Sequence, residues 1–198
     1  MTYDVLPALA LFAFVGSITP GPNNLMLMAS GANYGFQRTL PHMAGISIGF
    51  MVMMVLAGIG LVQVFDRFPA SYTILKILSL CYMLYLVHKI ATAAPVSTDT
   101  AGGRPMTFLQ AAAFQWVNPK GWAMALTAIT VYLGQPGLTM LLLAAAIFVI
   151  VNLPSVTLWT VMGQQMARVL TNPLRMRLFN WTMAALLVAS LYPLLLLG

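Results

Sequence analysis

Acidic residues and cysteine are almost missing from this sequence. Its 198 residues include three acids, nine Lys or Arg and one cysteine, and only 6% of them are charged. A soluble domain carries about a quarter charged residues, so a water-solvated globular fold is excluded. Cys81 stands alone, which excludes an intramolecular disulfide, a paired-cysteine relay and a cysteine-rich metal site. Asp4, Asp66 and Asp99 all fall outside the long apolar runs. An intramembrane carboxylate relay is therefore lacking, and so is the anion that would pair a dibasic cargo. The N-terminus has no cationic stretch before its first apolar run, so that run reads as a retained membrane span and not as a cleaved signal.

What is present is apolar. The chain is 61% hydrophobic with a mean hydropathy of +0.90, the composition of an integral membrane protein whose first partner is the lipid bilayer. Its 15 Met residues suit adaptable apolar packing, and no metal or cofactor is expected. The net charge of +6 does not indicate nucleic acid, because the basic residues stand mostly at segment ends, where they set orientation.

No charge occurs from residue 5 to residue 37, and a span needs only about 20 residues. This stretch reads as a half-helix Val5–Ile18, a break at Thr19-Pro20-Gly21, and a second half-helix Pro22–Ala32. Further spans are expected at Met43–Phe65, Pro69–Ile90, Met106–Leu133, Leu138–Met162 and Leu178–Leu197. The fourth of the six is again broken, at Asn118-Pro119-Lys120-Gly121. A polar stretch around residues 94–105 separates repeat one (1–93) from repeat two (106–198) within a single transporter domain over 1–198. Loops after spans one, three and five carry Arg38, Lys89, Arg104, Arg168, Arg175 and Arg177, against Arg67 on the other side. Positive loops stay cytoplasmic, which puts both termini outside. Three spans per half force the halves into opposite orientations. The expected fold is all-α: six transmembrane helices as two inverted three-helix repeats, with helices 1 and 4 broken by proline motifs.

Proline lacks an N–H and crowds the carbonyl four residues back. Pro20 frees the carbonyl of Gly16, Pro22 that of Ile18 and Pro119 that of Gln115, partial negative charges suited to an ammonium group. Beyond each break a new half-helix opens with exposed N–H groups, suited to a carboxylate. Complementary ends of this kind fit a small zwitterion, and amino acids are the obvious ones. Asn23, Asn24 and Asn118 add neutral donors and acceptors. Lys120 is a cation at membrane depth, which is functional by default. The candidate substrate-binding residues are Pro20, Gly21, Pro22, Asn23, Asn24, Gln115, Asn118, Pro119 and Lys120, lining one cavity; Lys76 and Lys120 are candidate coupling groups. The plainer reading is that the prolines kink packed helices and the lysines reach outward to the interface; matched breaks with asparagines at both weigh against it.

Other features read as structural. Lys76 stands near the end of its span, His42 and His88 near interfaces, and the aromatics around Tyr82, Tyr85, Trp116, Trp122 and Trp181 as packing or interfacial groups. Gly45-Ile46-Ser47-Ile48-Gly49 has the spacing of a hydrolase nucleophile but sits in an uncharged helix without acid or base partners. Its Gly45 and Gly49 form a small-residue helix-packing motif instead. No enzyme activity is expected.

These residues also resemble the LysE/RhtB family of amino-acid exporters. The resemblance runs over essentially the whole chain. It is carried by Thr19-Pro20-Gly21-Pro22-Asn23-Asn24, Gly35-Phe36, the Gly45–Phe50 stretch, Leu75-Lys76, Tyr82–Leu86, Asn118-Pro119-Lys120, Gly163, Arg168, Asn180 and Met183–Leu187. It implies secondary-active efflux of amino acids or derivatives across the bacterial inner membrane, and it looks most like the cysteine/O-acetylserine branch. Ser79 and Val87-His88 depart from the family pattern in the third span, so the cargo does not transfer. The expectation is a proton-coupled exporter of small neutral amino acids, compatible with a homo-oligomer. The alternative is a channel or an uptake carrier for small zwitterions, since broken helices also line pores.

Overall fold

A computed structural model of the chain describes residues 5–93, 103–134 and 136–190, and the regular structure among them is helical throughout. Local chemistry sets most helix ends. Helix α1, Val5–Ile18, stops just ahead of Pro20, whose ring disfavours helical geometry in the residue before it. Helix α2, Pro22–Tyr34, starts with proline in its first turn, where the missing N–H costs nothing. It ends at Gly35, whose φ of 78° is open to glycine and strained for other residues. Helix α3, Phe36–Leu56, runs through a π-helical turn, Ala57–Leu61, into α4, Val62–Arg67. Helix α5 covers Ala70–Ala91.

A reciprocal cap between Thr107 and Gln110 opens α6, Phe108–Gln115. Helix α7, Pro119–Thr127, again begins on proline and continues as a π-helical segment, Ala128–Leu133. Helix α8 is Leu138–Val169, and α9, Pro173–Ala189, starts from an Asn172 cap.

Helix α2 is the centre of the molecule. Every residue from Asn24 to Asn33 is buried, and α2 packs most extensively on α8. The approach is close because Gly31 lies against the backbone of Thr160, and Gly163 against that of Met28. Small residues that let helix backbones meet are the usual means of helix packing in membranes. Gly45 and Gly49 do the same for α3 on α6, facing Phe108 and Ala112; the Gly45–Gly49 motif is packing, as expected. Helices α5 and α9 pack together on one side.

Polarity is distributed inside out relative to a soluble protein. Buried groups include Asn24, Asn33, His42, Gln115, Asn118 and Asn180, while Leu109 is 74% exposed and Val131 73%. Such a surface fits lipid. Phe36–Arg67 and Leu138–Val169, 32 residues each, and Ala70–Ala91, 22 residues, are long and apolar enough to cross a membrane. The pair α1 and α2, bent by 51° at its break, meets the same test as one broken span. Helices α6 and α7 are individually short, and α9 covers 17 residues.

Several helix bounds differ from the expected ones. The loop expected between Arg168 and Arg177 shrinks to residues 170–172: Arg168 lies in the last turn of α8, and Arg175 and Arg177 lie in the first turns of α9. Arginine side chains reach back to an interface from within a helix, so charge alone does not mark where a helix ends. The expected linker lies outside the described residues except for 103–105, as do the chain termini.

Candidate functional site

The two breaks meet. Lys120, in the first turn of α7, donates from Nζ to the carbonyl oxygen of Thr19 at 2.8 Å, to the Thr19 hydroxyl at 2.9 Å and to the carbonyl of Pro20 at 3.4 Å. An ammonium has three donors and no acceptor, and here three oxygens of the opposite break receive it. A second link lies beside it. Asn23 Nδ2 donates to Gln115 Oε1 at 2.9 Å, and Gln115 Nε2 donates back to Asn23 Oδ1 at 3.1 Å.

The rest of the first break is held from within and from α8. Asn24 Nδ2 donates to the carbonyls of Ser17 and Thr19. Ser155 Oγ donates to Ser17 O at 2.7 Å, and Trp159 Nε1 to Ile18 O at 3.1 Å. The carbonyls that the prolines release are thus already engaged. Gly16 O accepts from the Thr19 hydroxyl, Ile18 O from Trp159 and Gln115 O from the Asn118 N–H. A carbonyl left without a donor at membrane depth costs several kcal/mol, and each of these three has one.

Between the breaks lies a cavity of about 50 Å³, lined by Gly21, Pro22, Asn23 and Asn24 from one side and Asn118, Lys120 and Gly121 from the other. A single water fills roughly 10–15 Å³ of such space, so the cavity admits only a few water-sized groups. Ile46 belongs to one of the two buried apolar clusters and Phe148 to the other, and both reach the cavity wall. Neither Gly21 nor Asn118 caps its helix with a side-chain hydrogen bond. The first turns of α2 and α7 therefore bring uncapped helix N-termini to one space, an arrangement that favours an anion. Asn118 Oδ1 is buried and has no hydrogen-bond partner among the described residues, leaving an acceptor for a cation or donor. Gly21 is needed for the close approach of Lys120, because a Cβ there would lie 2.8 Å from Lys120 Cδ.

Of the nine expected residues, six line the cavity: Gly21, Pro22, Asn23, Asn24, Asn118 and Lys120. Gln115 is fully buried behind Asn23 and hydrogen-bonded to it, and does not itself line the cavity. Pro20 is exposed and contributes its carbonyl to Lys120. Pro119 faces a neighbouring cavity of about 260 Å³ with Trp116, Trp122 and Lys76, so Lys76 stands apart from Lys120. Sequence reasoning missed Ser47 and Asn152, which also line the central cavity and join at 3.1 Å. Ser47 was absorbed by its packing glycines. Asn152, a polar residue in the middle of an apolar run, was the available signal. Among the described residues no group of three His, Cys, Asp or Glu could hold a metal ion.

The LysE type translocator family matches residues 14–192 of the chain. Relatives include the cysteine/O-acetylserine efflux proteins of Escherichia coli strain K12 and of Shigella sonnei strain Ss046. Each is 34% identical over 134 residues, or 67% of this chain and 67% of the relative. No solved structure matches. These relatives are transporters and not enzymes. With a family match that spans both proline breaks and the long helices between them, the chain belongs to the LysE type translocators.

Proposed function

We propose that this protein is a secondary-active exporter of small neutral amino acids or their derivatives, of the cysteine/O-acetylserine or homoserine/threonine kind, across the bacterial inner membrane. The observation that carries the reading is the meeting of two uncapped helix N-termini, Lys120 and an unpartnered Asn118 oxygen around one small cavity. A substrate carboxylate binds at the first turns of α2 and α7 beside Lys120. Its ammonium binds Asn118 Oδ1, the acceptor that the protein leaves free. Among the described residues no acid lines the cavity, so a second cationic group on the cargo would find no partner there. The efflux named for the relatives agrees with a small amino-acid cargo.

The architecture behind this reading is six spans in two inverted repeats. Its support is the element order, which recurs after about 100 positions: Pro22 with Pro119, Phe36 with Leu138, and Ala70 with Pro173. The long helix of each half also packs on the broken helix of the other, α8 on α1 and α2, and α3 on α6. Alternating access follows if one half rocks against the other and separates Lys120 from Thr19. Protons are the proposed driving ion. Lys120 is the titratable group in the central cavity wall, and Lys76 lies in the adjoining cavity.

The test is flux in proteoliposomes under an imposed pH gradient, with radiolabelled cysteine, O-acetylserine, threonine and lysine. Saturable, gradient-dependent movement of a neutral amino acid is expected. Flux of lysine alone, or of nothing, refutes the cargo; non-saturating flux replaces the carrier with a channel.

A further inference from the structure

A second cavity lies at the other end of α2, and its most telling residue is His42. The imidazole is 1% exposed, lines this cavity, and neither ring nitrogen has a hydrogen-bond partner among the described residues. Neighbouring polar groups are satisfied: Ser30 with Thr39 at 2.9 Å, and Asn33 with the Ala29 carbonyl and with Asn180. His42 is therefore the exception, and an unpaired buried polar group costs about 1–3 kcal/mol. Lys89 from α5 and Arg104 from the segment before α6 reach the same cavity, and no carboxylate is among its described lining residues. Two cations and a donor N–H around a space without an acid define a positive potential that attracts an anion.

We propose that this cavity is a second binding site for a small carboxylate, held by Lys89, Arg104 and His42. A neutral imidazole has one donor and one acceptor nitrogen. A carboxylate takes the donor, and the ammonium of an amino acid takes the acceptor; chloride answers only the first. Asn24 lines the central cavity and Asn33 lines this one. Nine residues of helix separate them, a distance of about 13 Å. The site is thus a way station on the exporter's own path, along the buried helix α2, where cargo is collected before it reaches the proline breaks. Only the identity of the carboxylate as cargo rests on the export reading; the anion site rests on the cavity itself.

Isothermal titration of the purified full-length chain in detergent, with sodium acetate, L-threonine and sodium chloride as separate probes, tests this. Acetate should bind at two sites in the unaltered protein. The Lys89→Gln/Arg104→Gln double variant should weaken one site at least about tenfold, and Lys120→Gln should weaken the other. His42→Phe should act like the double variant; the exposed and half-buried positions of Arg104 and Lys89 keep the test readable if His42→Phe does not fold. L-threonine should compete with acetate at both sites. Acetate binding that disappears entirely with Lys120→Gln, or is unchanged in the double variant, overturns the proposal. Binding of chloride without competition from acetate or threonine overturns the carboxylate assignment. Acetate binding that is retained here in a protein without amino-acid flux would sustain the site while refuting export.

Discussion

Lys120 Nζ lies 2.8 Å from the carbonyl oxygen of Thr19 across 101 positions of sequence. The contact ties the start of one half-helix to the end of another and places a cation where a proline has disrupted the backbone. A charge at membrane depth is costly unless it is paired or meets backbone carbonyls, and Thr19 and Pro20 supply those carbonyls. The same residue lines the central cavity, so the contact that joins the two breaks also sets a positive charge in the cavity wall.

Lys120→Ala should therefore lose transport. Hydrogen bonds to a charged group contribute about 1.5–3 kcal/mol, which corresponds to roughly a 10- to 100-fold fall in substrate flux. Initial rates in proteoliposomes at matched protein density check this, with membrane expression retained. Flux within twofold of the parent protein would remove Lys120 from the site.

Gly21→Ala should act on the same contact without touching the lysine. An added Cβ would crowd the Lys120 side chain, which is flexible enough to swing away. Folding should change little while flux falls in the direction of Lys120→Ala. Thermal unfolding in detergent alongside the flux assay separates the two effects.

The Asn23–Gln115 pair predicts coupling. Gln115→Leu leaves the Asn23 amide half-buried and short of partners, with an expected loss of about 1–3 kcal/mol. Asn23→Leu should lose a similar amount, and the double variant less than the sum, because both remove one interaction. Strictly additive unfolding energies would mean that the pair is not formed.

Gly31→Ala and Gly163→Ala should destabilise strongly, because the new Cβ meets the backbone of Thr160 or Met28. Overpacking of this kind costs about 1–3 kcal/mol or more. Gly137→Ala is the control: no described residue lies within 4 Å of a Cβ there, and its φ of −67° suits alanine. Melting temperatures of the three variants give the comparison.

Orientation is open to chemical labelling. On a background with Cys81 replaced, a cysteine near residue 100 should be shielded from an impermeant thiol reagent in intact cells, because the expected orientation keeps the helix ends richest in Arg and Lys on the cytoplasmic side. Ready labelling of that position would reverse the topology.

The sequence by itself determined where the backbone breaks. Proline has no N–H and restricts its neighbour; beside glycine or asparagine it ends α1 at Ile18 and opens α2 and α7 at Pro22 and Pro119, whereas Pro41 and Pro154 stand inside α3 and α8. Scarce charge and long apolar runs likewise gave a membrane protein without reference to any contact. Tertiary structure alone decided which polar groups share a cavity. Thr19 and Lys120 can meet only because α8 and α3 pack the broken helices together, and no periodicity records a contact between segments so far apart. That packing brings Ser47 and Asn152 into the central wall, buries Gln115 behind Asn23 and turns Lys76 toward a different cavity. It also gives the proline-freed carbonyls of Gly16, Ile18 and Gln115 donors from the protein. Freed groups are predictable from the chain; their partners depend on what three-dimensional packing delivers, since a buried carbonyl takes whichever donor comes within reach.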